Sequence, residues 1–148
     1  MAFHFALAPL LRLRQSLERQ RAMRLQEASL AVARAHETLS RIDQSLTDAA
    51  RSDEAVLRVG RSAAELQFAL LTRANMNALR ENFLGEIQRL EIERQTVALE
   101  YQRAYQEREV LETLATQQHH TYQQEQLQRE QRELDASHLL QLWRKRLG

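Results

Sequence analysis

The sequence predicts an all-α protein in which two long helices form an antiparallel coiled-coil hairpin, with the second helix longer than the first. Strong helix formers (Ala, Leu, Glu, Gln and Arg) dominate the 148 residues. Only 3 Gly and 1 Pro are present, so the chain has few positions for turns. Apolar residues recur in alternating steps of four and three, as in a coiled-coil seam. The length favours a single coiled-coil domain over residues 1–148.

The first helix is predicted over about 9–57. Pro9 suits its first turn, where a missing N–H costs nothing. A regular seam follows through Ala28, Val32, Ala35, Leu39, Ile42, Leu46, Ala49, Asp53 and Val56. Upstream, we extend this seam through Leu10, Leu13, Leu17, Arg21 and Leu25.

A turn over 58–62 separates the two helices. Gly60 can adopt a positive φ and end the first helix. Ser62 and Glu65 have the spacing of a capping box, which starts the second helix. A phosphate-binding loop would need GxxxxGK[ST] after a strand, and neither is present. The glycine therefore marks the bend of a hairpin.

The second helix is predicted over about 62–145. Its seam runs through Leu66, Ala69, Arg73, Met76, Leu79, Phe83, Ile87, Leu90, Arg94, Val97, Tyr101, Ala104, Arg108 and Leu111, with a fainter continuation through Ala115, Gln118 and Tyr122. If Val56 faces Leu66, the antiparallel register places Leu39 opposite Phe83 and Ala35 opposite Ile87. The seam arginines are expected to pack their stems while their charged heads reach solvent. Gly85 lies inside this helix, and close helix approach, a kink or partner contact could each explain it.

The last third of the second helix has no partner within the hairpin. It is polar and Gln-rich as far as Leu134, and then carries apolar residues among Arg144, Lys145 and Arg146. Such a segment calls for a partner protein, a second copy or a membrane surface, and a partner protein is our first expectation.

Several function classes are disfavoured. The net charge of +1 argues against a nucleic-acid binder. There is no Cys, no run of about 20 apolar residues and no signal-peptide pattern, so we expect a cytoplasmic protein without a membrane span. His119 and His120 point about 100° apart on a helix and cannot readily share a metal. We expect no enzymatic activity, no catalytic residue, no cofactor and no metal.

Two motifs carry a resemblance to a known family. The N-terminal pattern F-x-F-x-L-x-x-L-L-x-L-R uses Phe3, Phe5, Leu7, Leu10, Leu11, Leu13 and Arg14, and the late Q-R-E-Q-R-E-L-D spans 128–135. Together with the two-helix layout, they resemble the FliJ family, the small stalk proteins of the flagellar type III export apparatus. The resemblance covers essentially the whole chain.

The resemblance implies a non-enzymatic stalk that bridges a hexameric flagellar export ATPase and the cytoplasmic domain of an export-gate membrane protein. Export chaperones are further implied partners, and the implied roles are protein export, motility and chemotaxis. The implied location is the cytoplasm, peripheral at the inner face of the cell membrane. By position, the ATPase-facing candidates are Phe3, Phe5, Arg12, Arg14, Leu139, Trp143 and Arg144, and the gate-facing candidates are Arg58 and Phe68.

Two alternatives remain open. One is a generic coiled-coil tether or homodimeric scaffold, for which the unpaired tail is the best support. The other is the equivalent stalk of a virulence type III secretion system.

Overall fold

The structure, a computed structural model, describes residues 2–148. Helix α1 spans Ala8–Leu57 (50 residues) and helix α2 spans Ala63–Leu147 (85 residues). No strand occurs among the described residues. The predicted fold class is confirmed: the protein is all-α, and α1 and α2 form a hairpin in which the second helix is the longer.

The start of α1 is set by the residues around its proline. The Ala8 N–H donates to the Phe5 carbonyl at 3.0 Å, and the Leu11 N–H donates to the Leu7 carbonyl at 2.9 Å. Pro9 is the second residue of α1. It lies in the first turn as predicted, where the helix has no use for its N–H.

The bend forms as the sequence predicts. Gly60 has φ of 92°, and its N–H donates to the Val56 carbonyl at 3.1 Å. The Val59 N–H donates to the same carbonyl at 3.0 Å, so the last turn of α1 closes on Val56. The N–H of Glu65 donates to the Ser62 hydroxyl oxygen at 3.3 Å, so Ser62 caps the start of α2.

The chain divides into two compact units, each built from a part of both helices. The bend unit comprises Gln20–Gln102, and the terminal unit comprises residues 2–19 with Arg103–Gly148. The single domain over 1–148 stays a prediction.

The core of the bend unit is a narrow seam between α1 and α2. Val32 and Ala35 are buried on α1, and Ile87 is buried on α2. The predicted α1 seam from Ala28 to Val56 is confirmed, since each of its positions is buried or half-buried. Small and medium side chains allow two helices to approach closely, but they leave little room for a thick core.

Ion pairs show the direction of the two helices in the bend unit. As the residue number rises on α1 it falls on α2, so the helices are antiparallel there. The pairs are Arg21–Glu100 at 2.9 Å, Asp43–Arg80 at 2.5 Å and Asp53–Arg73 at 2.7 Å. Near the start of α1, Arg21 faces Glu100 of α2.

The terminal unit is antiparallel as well, since Phe3 lies beside His119 whereas Arg14, further along the chain, binds Glu107. Phe5 and Ala104 are its buried residues. Arg14 binds Glu107, and Glu18 binds Arg108 with an N–O distance of 2.6 Å. Charged side chains therefore hold the two helices together here where the apolar core is thin.

Parts of the predicted seam are wrong. Leu13 and Leu79 are 55% and 54% exposed. Leu11, Arg14 and Arg80 are half-buried in their neighbourhood instead. The seam passes through Arg14 and Arg80 and not through the leucines that precede them. Each of these arginines meets a carboxylate of the facing helix, which allows it to occupy a seam position. Further exposed positions of the predicted seam are Leu10, Leu66 and Gln118.

The structure adds carboxylate partners to the predicted seam arginines. Arg73 binds Asp53, Arg94 binds Glu91 and Arg108 binds Glu18. Their heads are paired with carboxylates rather than only hydrated, because acidic residues lie within reach on the same or the facing helix.

Candidate functional site

The bend unit exposes apolar side chains next to a groove. Val59 is 86% exposed and Phe68 is 72% exposed. A groove of about 510 Å³ beside Phe68 is lined by both helices and includes Ala49 and Met76. Exposed aromatic groups beside an apolar groove are typical of protein-binding surfaces.

The groove is held in shape by one carboxylate. Asp53 accepts hydrogen bonds from Arg61 at 3.1 Å and from Arg73 at 2.7 Å. These contacts join the end of α1 to the loop and to the start of α2. They therefore fix the surface on which the exposed Arg58 and Phe68 lie.

The terminal unit carries an aromatic contact that sequence reasoning missed. The Phe3 ring lies 4.8 Å from the His119 ring in an edge-on arrangement and 5.5 Å from the Tyr122 ring. The N-terminal segment thus packs on α2, and Phe5 within it is buried. His119 is exposed, and no repeat or motif in the sequence links it to Phe3.

A charged cluster lies nearby in the terminal unit. Arg108 donates to Glu18 at 2.6 Å, binds Glu112, and places its guanidinium carbon 4.9 Å from the centre of the Tyr105 ring. The hydrogen bond to Glu18 raises the pKa of Arg108 most strongly; desolvation opposes the rise, and the hydrogen bond to Glu112 adds to it. Arg108 is therefore a permanently charged structural group that cannot exchange a proton in a reaction.

The last part of α2 presents a helix face without neighbours. Residues 127–148 are all exposed. Leu139, Trp143 and Leu147 follow a helical spacing and lie on one side, with Arg144 and Arg146 on the two flanks. We call the side of residues 136–147 that carries Leu139, Trp143 and Leu147 the tail face. An apolar stripe flanked by arginines suits an apolar site with an acidic rim.

The structure brings the predicted contact residues into two groups. Arg58 and Phe68 belong to the bend unit. The others belong to the terminal unit: Phe3, Phe5, Arg12, Arg14, Leu139, Trp143 and Arg144. Arg12 is exposed, whereas Arg14 is engaged with Glu107. A role for each of these residues in partner binding stays a prediction.

Neither a metal-binding cluster nor a membrane-spanning helix is found in the described chain. Among residues 2–148, no three metal-ligating side chains of His, Cys, Asp or Glu come together. No helix within the same residues is long and apolar enough to cross a bilayer.

The fold and its surfaces define a coiled-coil protein whose candidate binding sites are exposed helix faces and a shallow groove. The chain belongs to the family described as flagellar FliJ protein, whose family model matches residues 3–147. This confirms the resemblance found in the sequence and makes the chain a protein of flagellar export. Comparisons with curated proteins and with solved structures gave no match.

Proposed function

We propose that the protein is the non-enzymatic, single-domain stalk of the flagellar type III export apparatus, bridging the hexameric export ATPase and the cytoplasmic domain of the export gate. The observation that carries this proposal is the exposed tail face of a family member. A helix that continues well beyond its hairpin partner, with apolar residues along one side, gains stability only when another molecule covers it.

The ATPase-facing surface would combine the tail face with the start of α1. Trp143 and Leu139 supply apolar anchors, and aromatic anchors of this kind dominate binding energies. Arg144 and the exposed Arg12 supply charges for acidic groups around the pore of a ring. Phe5 is buried, so its direct contact with a partner requires the N-terminal segment to move.

The gate-facing surface would be the bend unit. Phe68 offers an aromatic group and Arg58 a neighbouring charge, both exposed. Binding there would recruit a cytoplasmic protein to the inner face of the membrane without a span of its own. Export chaperones are further proposed partners, and through export the protein would support motility and chemotaxis.

The ATPase arm of the proposal is tested by co-purification and by the rate of ATP hydrolysis. We expect Leu139→Ala and Trp143→Ala each to weaken binding to the ATPase by about tenfold or more, as hot-spot truncations do. Leu127→Ala is the matched control, because Leu127 is as exposed as Leu139 (65% and 64%) but lies outside the tail face. No binding by the native protein and no stimulation of hydrolysis would refute this arm.

The gate arm is tested separately with the purified cytoplasmic domain of the gate protein. Phe68→Ala should weaken binding, whereas Leu70→Ala should not, because Leu70 is exposed on a different side of α2. Binding to the ATPase should be unchanged in both variants. Equal effects of the two substitutions on gate binding would contradict the assigned surface.

The alternatives predict other outcomes. A virulence secretion stalk would bind the ATPase of that system in preference to the flagellar one. A generic coiled-coil tether or homodimeric scaffold would bind neither the ATPase nor the gate.

A further inference from the structure

Helix α2 carries a second heptad repeat on positions outside the hairpin seam. Near the bend, two of its members, Ala64 and Phe68, also line the groove shared with α1. Four of its members, Ala64, Leu71, Ala78 and Gly85, lie seven residues apart. Phe68, Asn75, Asn82 and Arg89 alternate with them in steps of four and three, the spacing of a coiled-coil seam. We call these eight residues the second seam. All eight are exposed, while the hairpin seam uses other positions such as Ala69 and Met76.

Gly85 supports the second seam by an observation other than the heptad spacing. Glycine in a helix interior is destabilising relative to alanine. A Cβ atom added at Gly85 would meet no atom within 4 Å. The hairpin itself therefore does not require a glycine here, and close approach of α1 is excluded as its reason. The open space at Gly85 is a position where a side chain of a second molecule can pack against α2.

We propose that the second seam binds the same seam of a second copy of this chain, with the two α2 helices antiparallel. The second seam consists of two alternating sets of positions, and in an antiparallel coiled coil each set faces the other set on the partner helix. One set is Ala64, Leu71, Ala78 and Gly85, and the other is Phe68, Asn75, Asn82 and Arg89. One register pairs large side chains with small ones. Its layers are Phe68 on Gly85 of the second copy, Asn75 on Ala78 of the second copy, Leu71 beside Asn82 of the second copy, and Ala64 under the stem of Arg89 of the second copy.

The size pattern favours a second copy over an unrelated helix. Two-fold symmetry repeats every layer, so one chain supplies both the Phe68 knob and the Gly85 gap that receives it. A shift by one heptad would place Phe68 against Ile92 of the second copy and Gly85 against Asn75 of the second copy. Two large side chains would then share a layer, and only the smaller Asn75 would face the gap at Gly85.

The asparagines of the second seam are compatible with the same symmetry. The two-fold axis of this register passes between Asn75 and Ala78, so Asn75 lies close to Asn75 of the second copy. A side-chain amide both donates and accepts hydrogen bonds, so two identical amides can satisfy each other across the axis. A polar residue at one seam position is a known device for choosing oligomer state and register.

The charges beside the seam are also compatible with this pairing. Glu65 would lie near Glu86 of the second copy, which alone would be repulsive. Arg89 already binds Glu86 at 2.5 Å and lies between the two carboxylates in the paired state. A single arginine for two carboxylates makes the dimer sensitive to the charge at this position.

The pairing has a consequence that rests on the proposed function. Phe68 is the aromatic group proposed for contact with the export gate, and the paired state covers it. The dimer and the gate-bound stalk would then exclude one another, so the dimer would be a storage form. The pairing itself does not depend on this consequence, since it is measured without ATPase or gate.

The test is the mass of the purified full chain by sedimentation equilibrium over a wide concentration range. We expect the mass to rise from 17.3 kDa towards twice that value. Gly85→Leu and Leu71→Lys should hold the chain at the monomer mass, with unchanged helicity by circular dichroism, because both positions are exposed in the monomer. Asn75→Asp and Arg89→Glu should also weaken the dimer, since each brings like charges together.

Ile92→Lys is the matched control. Ile92 is 60% exposed and Leu71 is 63% exposed, on the same helix. Ile92 continues the repeat but lies outside the overlap, because its facing position comes before α2 begins at Ala63. The control should therefore dimerise as the native chain does, and loss of its dimer would overturn the register in favour of the one shifted by a heptad.

Two further results would overturn the proposal as a whole. One is a native chain that remains monomeric at all concentrations. The other is dimerisation that Gly85→Leu and Leu71→Lys leave intact, as expected for pairing through the tail face.

The relative direction of the two α2 helices is tested by disulfide cross-linking. The native chain has no Cys, so only the introduced cysteines can form a disulfide. Mixed Phe68→Cys and Gly85→Cys chains should form an intermolecular disulfide under oxidising conditions. Phe68→Cys alone should not, because the two Phe68 positions would lie about 25 Å apart along the helix axis. The reverse result would indicate parallel helices and refute the register.

Discussion

Replacement of Ile87 by alanine should destabilise the bend unit by about 2 kcal/mol. Ile87 is only 7% exposed, so the substitution removes three nearly fully buried carbon groups, each contributing about 0.8 kcal/mol. Alanine returns about 0.4 kcal/mol through its higher helix propensity. A cavity should add little to this loss of stability, since two helices in a narrow seam can move together and fill part of the lost volume.

Ile92→Ala is the control for this prediction. Ile92 lies in the same helix and the same unit but is 60% exposed, so the loss of burial is about 1 kcal/mol before the same gain in helix propensity. We expect a net change of about 0.5 kcal/mol. The free energies come from urea unfolding followed by circular dichroism at low protein concentration, where the chain is monomeric.

The comparison can refute the hairpin register. If both variants unfold at the same urea concentration, Ile87 does not face α1 as the structure places it. Hydrogen exchange gives a second readout, because Ile87→Ala should speed exchange in the facing part of α1 near Val32 and Ala35, whereas Ile92→Ala should not.

Three further predictions concern single side chains. Gly85→Ala should raise the free energy of unfolding of the monomer by about 0.5–1 kcal/mol in urea melts, since the added Cβ meets nothing. Asp53→Asn should lower the free energy of unfolding by up to about 1 kcal/mol, because it weakens the pairing with two arginines. The control Asp48→Asn should have no measurable effect on this free energy, because Asp48 is exposed. Arg108→Gln should lower the melting temperature of the terminal unit, and the exposed Arg103→Gln should leave it unchanged.

Periodicity predicted the fold wherever apolar residues repeat without interruption. The α1 seam from Ala28 to Val56 could be read directly from the sequence, because the steps of three and four admit one helical face. The bend was equally clear, since Gly60 and Ser62 each have a specific conformational role there. Both features depend on local chemistry that a single sequence contains.

Errors arose where charged residues enter the seam. Leu13 and Leu79 fit a search for apolar spacing, whereas the seam uses Arg14 and Arg80, one residue further on. An arginine is favourable at a half-buried position when a carboxylate lies within reach, and for Arg14 and Arg80 this carboxylate comes from the other helix. That condition depends on the pairing of distant segments, so it could not be judged from the spacing within one helix.

Of the candidate surfaces, the sequence predicted the one that depends on residues of a single segment and missed those that depend on distant segments. The tail face is visible in the sequence because its apolar residues follow a helical repeat within one segment. The contact of Phe3 with His119 and Tyr122 joins residues far apart in the chain and follows no repeat. The second seam of α2 escaped notice because small and polar residues occupy most of its positions, and only exposure in the folded hairpin separates it from the first.

The ion pairs of the seam also determine the register of the hairpin. A pure alanine and leucine seam would tolerate a shift by one heptad, since apolar residues would still meet. In the bend unit, such a shift would move Arg80 from Asp43 to face either Ala50 or His36, depending on direction. Neither offers a carboxylate, so the half-buried guanidinium would lose its partner, which disfavours the shifted register. Each exposed pair adds little to stability, yet the pairs exclude the shifted hairpins and thereby fix which residues of α2 remain outside the seam.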